Sequence, residues 1–132
     1  MHNHFSEELF LKKQTGSYLY HTYAEKLPIN DYHCHLVAQE IYENKEFEDL
    51  GEMWLAHDHY KWRAMRTFGI DEYYVTGGAS YYEKYMKFAE ILPRLIGNPL
   101  YIWCALELKR YFDIDEPLGP DNAEEIYHRT TE

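Results

Sequence analysis

Cysteine is nearly missing: Cys34 and Cys104 are the only two in 132 residues. Two thiols that far apart in sequence, with no export signal ahead of them, more often stay reduced than pair, so no disulfide framework is expected. Basic charge is scarce too. Thirteen Lys and Arg against twenty-three Asp and Glu leave a formal charge of -10, which repels a phosphate backbone over most of the surface and argues against nucleic acid as a partner. No run is apolar over the length a membrane-spanning helix needs, and Met1-His2-Asn3-His4 lacks the basic-then-apolar profile of a secretory leader. A soluble, cytoplasmic protein with no membrane partner is the expectation. There is also no internal repeat and no low-complexity tract.

Aromatic residues are abundant instead, with fourteen Tyr, six Phe and three Trp. Such bulky side chains fill a core or line a polar pocket, and the length suffices for one folded domain. Apolar spacing predicts an amphipathic helix from near Thr15, stopped by Pro28, and a short β-compatible stretch over 29–34. Helical patterning then covers 37–42, 49–55, 60–68, 80–92, 99–112 and 121–131. Asp49, Ser80, Asn98 and Asp121 are candidate N-caps, and Ser80 with Glu83 has capping-box spacing. A lone strand leaves its backbone donors and acceptors without partners, so residues 29–34 are expected to open a larger sheet. The last helical pattern has neither a capping glycine nor a terminating proline, so the chain is expected to be cut rather than finished.

The candidate chemistry begins at Asp31-Tyr32-His33-Cys34-His35-Leu36. An extended backbone would aim Asp31, His33 and His35 to one face, where two imidazoles can grip one metal ion. Neutral imidazole suits zinc and other borderline first-row metals, yet a catalytic zinc takes at least three protein ligands. His33 and His35 are therefore half a site. In a loop Cys34 could ligate as well, while in a strand it faces away; the competing reading is a pair of histidines hydrogen-bonded to backbone at a strand end.

A second cluster is His57-Asp58-His59-Tyr60-Lys61-Trp62-Arg63. If Asp58 caps a helix, His59, Tyr60 and Arg63 lie within one turn, an arrangement suited to an anionic polyol. The competing reading is an amphipathic helix with solvated Lys61 and Arg66 and packed Trp62 and Met65. His57 and His59 would point apart on a helix and should not chelate together. His2 and His4 repeat the spacing at a terminus, where no third ligand is expected, and His21 and His128 read as surface or satisfied residues. The aromatic stripes over 98–103 and 106–112 have the helical spacing of core.

Taken in order, the 31–36 segment, Gly51 to Leu55, Asp58-His59-Tyr60-Lys61-Trp62-Arg63-Ala64-Met65-Arg66, Ile96-Gly97-Asn98-Pro99-Leu100-Tyr101 and Leu106-Glu107-Leu108-Lys109-Arg110-Tyr111-Phe112 closely resemble the N-terminal part of the uronate (glucuronate) isomerase family, within the amidohydrolase superfamily. The pattern departs at Ile102, Cys104 and Ala105, where family members often have His, Thr and His. The resemblance implies an α/β fold, the N-terminal portion of a metal-dependent (β/α)8 TIM barrel of amidohydrolase type. This segment is then mostly α-helical, with a first barrel strand near 29–34. Residues 1–36 would hold the N-terminal helix and that strand, and 37–132 a helical insertion, the chain ending before the barrel closes.

The implied reaction interconverts D-glucuronate and D-fructuronate, and D-galacturonate and D-tagaturonate, by proton transfer between C2 and C1. Carried over, His33 and His35 resemble ligands of a divalent metal, zinc being the expected one. His59 and Tyr60 resemble the pair that contacts substrate hydroxyls, Tyr60 being the proton carrier. The family's remaining metal ligand and its carboxylate-binding arginines have no counterpart here, so the isolated chain is expected to be inactive and to bind metal weakly. Two other functions fit the residues: a metal-dependent hydrolase of the same superfamily, and a non-catalytic helical fragment that binds a partner, or a second copy as a homo-oligomer, through its aromatic face.

Overall fold

The computed structural model describes residues 10–131. His2, His4 and the start of the lead-in to the first helix lie outside the described residues. The chain divides after Cys34 into two units.

In the first unit, helix α1 runs over Gln14–Leu19 and continues as a wider π-type turn over Tyr20–Ala24, closed by the Glu25 N–H on the Tyr20 carbonyl at 2.9 Å. The helix expected from near Thr15 is thus present, one residue early. The strand expected over residues 29–34 is not. Its stretch has no regular structure, Ile29 and Tyr32 are 93 % and 95 % exposed, and the Asp31 carboxylate accepts the His33 N–H at 3.1 Å. No strand occurs among the described residues, so a ladder partner is lacking, and a short side chain captures a donor that a ladder would use.

The second unit is helical throughout: α2 Ala38–Tyr42, α3 Leu50–Leu55, α4 His59–Thr67, α5 Tyr81–Ile91, α6 Pro99–Phe112 and α7 Ala123–Thr131. Local chemistry sets most of these starts, α2 after Val37 being without a side-chain cap. Asp49 accepts the Glu52 N–H at 2.7 Å, Asn98 accepts the Leu100 N–H at 3.0 Å, and Ser80 and Glu83 close the expected capping box. Helix α7 begins two residues after Asp121, because Asn122 holds the preceding turn, accepting from the Gly119 N–H at 2.9 Å and donating to the Pro117 carbonyl at 3.1 Å. Helix α6 stops where Asp113 turns left-handed at φ 54°, and the Ile114 N–H returns to the Leu108 carbonyl at 3.1 Å.

The core gathers Leu50, Trp54, Leu55, Met65, Tyr85, Phe88, Leu108 and Ile126 around α5. Gly51 lets α3 settle on the start of α5, since a Cβ there would run into the Tyr81 carbonyl. Two tyrosines tie α7 into place. Tyr85 donates from its buried hydroxyl to the Ala123 carbonyl at 3.0 Å, and Tyr127 donates to Asp49 at 2.7 Å. The stripes expected as core on α6 bury Leu100 and Leu108, with buried Cys104 and Ala105 between them, but not their aromatics: Trp103 and Tyr111 are exposed, and Tyr101 and Phe112 are only partly buried. No helix is long and apolar enough to cross a membrane among the described residues.

Candidate functional site

Asp58 begins the site. Its backbone is extended, and its Oδ1 accepts the Tyr60 N–H at 2.9 Å, which starts α4 with His59 and Tyr60 in the first turn. The same oxygen faces His35 Nδ1 at 3.2 Å. Three rings gather as a result: centroids lie 4.5 Å apart for His35 and His59, 4.4 Å for His35 and Tyr60, and 4.9 Å for His59 and Tyr60. His35, His59 and Tyr60, singled out in two separate stretches of sequence, meet within one unit. Arg63, one turn along, stands over the Tyr60 ring at 5.7 Å.

Lys61 departs from the expectation of a solvated lysine. It is 7 % exposed, and its ammonium donates to Asp58 Oδ2 at 2.8 Å. It also lies 5.7 Å over the Trp54 ring, whose indole N–H donates to Glu107 at 2.6 Å. Arg66 is exposed as expected, paired with Glu72, and Met65 is fully buried. Burial opposes the charge on Lys61, while the neighbouring Cys104 thiol, the hydrogen bond to Asp58 and the nearby Glu107 favour it, and the ammonium is held above its ordinary value. Burial likewise opposes the Asp58 charge, yet Lys61, the Tyr60 N–H and His35 together bring that carboxyl below its usual range. Burial pushes the Cys104 thiol up to about 12, so Cys104 is a neutral core residue.

Two hollows flank this cluster. One of about 440 Å³ has apolar walls from Phe47, Met53, Trp54 and Tyr111, and polar ones from His35, Glu40, Glu52, His57, Asp58, Lys61 and Glu107. Its four carboxylates make it a poor host for an anion. The other, of about 400 Å³, is lined by Tyr60, Arg63, Thr67, Asn98 and Trp103 among others, a cation and hydrogen-bonding groups around the phenol. His57 lies outside α4 and comes within 3.8 Å of Glu40, which is itself paired with Lys45 at 2.9 Å. Among the described residues no group of three His, Cys, Asp or Glu is arranged to hold a metal ion. In the sequence Asp58 reads only as a cap. Its contact with His35 spans 23 residues, and the pattern Asp-His-Tyr-Lys held no signal for it.

The family model for glucuronate isomerase matches residues 1–132. The chain is 51 % identical over 129 residues to a uronate isomerase of Clostridium perfringens, covering 98 % of this chain and 28 % of that one. It is 53 % identical over 126 residues to one from Shouchella clausii, covering 96 % and 27 %. The crystal structure of the Thermotoga maritima uronate isomerase superposes with a TM-score of 0.75 at 44 % identity, over 81 % of this chain and 24 % of that one. The matches thus cover roughly a quarter of the length of these relatives. On the family match over its whole length, with identity near one half to these relatives, the chain belongs to the glucuronate isomerase family.

Proposed function

We propose that this chain supplies the opening part of the active site of a uronate isomerase, interconverting D-glucuronate and D-fructuronate, and D-galacturonate and D-tagaturonate. The observation that carries this reading is the meeting of His35, His59 and Tyr60, with ring centroids no more than 4.9 Å apart. An aldose becomes a ketose by losing a proton from C2 and gaining one at C1 through an enediol, with no net oxidation and no co-reactant. Such a step needs a group that can carry a proton and another that grips hydroxyls. Tyr60, 39 % exposed and facing the hollow shared with Arg63, takes the first role, and His59 the second.

His33 and His35 are proposed as the first two ligands of a divalent ion, zinc by preference. The donor set fits in kind, two imidazoles one residue apart with a carboxylate behind His35, and falls short in number. A bound ion supplies Lewis acidity at a sugar oxygen. In the same reading residues 1–36 open a (β/α)8 barrel in which 29–34 gain a strand partner, residues 37–132 form a helical insertion, and the complete protein is cytoplasmic.

The test is a chimera in which this chain replaces the matching first part of the Clostridium perfringens relative, assayed for fructuronate formation from glucuronate. Turnover is expected from the chimera and not from the 132-residue chain alone. A folded chimera without turnover in the presence of metal would sink the isomerase reading.

A further inference from the structure

We propose that Asp58 is a positioning residue that sets the tautomer of His35 and ties it to the helix carrying His59 and Tyr60. Three nitrogens converge on this one carboxylate: the Tyr60 N–H at 2.9 Å and His35 Nδ1 at 3.2 Å on Oδ1, and the Lys61 ammonium at 2.8 Å on Oδ2. An ammonium and a backbone N–H on its two oxygens keep the group ionised, and an ionised carboxylate can only accept. The hydrogen between His35 and Asp58 therefore belongs to His35 Nδ1. In the neutral ring the lone pair then falls on Nε2.

Lys61 is what makes the arrangement stiff. It is 7 % exposed, so a carboxylate that swung away from His35 would strand a buried ammonium. The same carboxylate also sets the first turn of α4, so the orientation of His35 and the placement of His59 and Tyr60 are fixed together. Asp58 acts through these groups. Its catalytic meaning rests on the isomerase reading, in which an imidazole with Nδ1–H held by a carboxylate presents Nε2 to a metal ion. The tautomer itself does not depend on that reading.

The experiment is a long-range proton–nitrogen correlation spectrum of the ¹⁵N-histidine-labelled chain, recorded on the deprotonated ring at the alkaline end of the histidine titration. His35 is expected to show a protonated Nδ1 and a pyridine-like Nε2, the reverse of the form that free histidine favours. Lys61→Met should keep that signature, because Asp58 still faces the ring. Asp58→Ser combined with Lys61→Met should lose it while α4 persists, since serine caps as well as aspartate and no buried ammonium is left unpaired. A protonated Nε2 on wild-type His35, or a protonated Nδ1 that survives the double substitution, would overturn the proposal. Where the double variant does not fold, the wild-type and Lys61→Met spectra decide between the same two forms. A chimera without turnover but with the Nδ1–H signature refutes the isomerase reading alone, and a turning-over chimera with the Nε2–H signature refutes this one alone.

Discussion

Trp54 donates its indole N–H to Glu107 Oε2 at 2.6 Å, a bond between α3 and α6 that spans 53 residues and lies against the buried Lys61. Burial raises the Glu107 carboxyl above its ordinary value, against the pull of Lys61 and of this bond. A raised acid holds its proton more tightly when folded. The fold therefore carries no penalty below the unfolded value near 4.5, and loses stability as pH climbs from there through the folded value.

Glu107→Gln removes that titration while keeping an oxygen for Trp54. The variant is expected to match wild type within about 0.5 kcal/mol near pH 3 and to gain on it as pH rises toward about 8. Urea unfolding across this range checks it; a wild type that gains on the variant with rising pH reverses the sign of the argument.

Gly51 should tolerate no side chain. A Cβ would stand 2.8 Å from the Tyr81 carbonyl carbon and 3.0 Å from Asp49 Oδ1, and the first of these is backbone that cannot turn aside. Gly51→Ala is expected to cost about 1–3 kcal/mol by forcing α3 off α5. Gly16→Ala meets nothing within 4 Å on a short helix and should be neutral or slightly stabilising. Equal urea midpoints for the two variants would discard the packing explanation.

Ser80 and Glu83 make a reciprocal cap at the start of α5, with the Glu83 N–H on Ser80 Oγ at 3.2 Å and the Ser80 N–H on Glu83 at 2.9 Å. Ser80→Ala should cost about 1 kcal/mol. The two Ser80 donors hold the Glu83 carboxyl below its ordinary 4.5, so its share of stability is present above that value and fades as pH falls through the lowered one. The difference between wild type and Ser80→Ala should therefore shrink in acid, as thermal melts at two pH values would show. A difference independent of pH would remove the carboxylate from the cap.

The parts of this fold legible in the sequence are those set by neighbours in the chain. Asp49, Ser80 and Asn98 cap where short polar side chains precede apolar periodicity, and His59 with Tyr60 fall in one turn because Asp58 starts it. What escaped depends on distant partners. The sequence pattern makes Lys61 a solvated face residue, and only the fold brings α3 and α6 over it. The Asp58 contact with His35 and the Trp54 contact with Glu107 have no period to betray them. The stretch 29–34 has strand-like composition, but a strand is a property of two segments, and its expected partner is not among the described residues.

Within the chimera, Tyr60 and His59 should separate kinetically. Tyr60→Phe keeps a ring against His35, whose centroid lies 4.4 Å away, and removes only the hydroxyl that can carry a proton. A lost proton carrier acts in the transition state, so kcat should fall by roughly 10²–10⁴ with KM nearly unchanged. His59→Phe keeps aromatic bulk 4.5 Å from His35 but loses hydrogen bonds to hydroxyls present in substrate and transition state alike, so KM should rise with a smaller change in kcat. Steady-state rates with glucuronate at several concentrations distinguish the two. If Tyr60→Phe leaves kcat intact while raising KM, the phenol grips substrate, and the proton must travel through another group.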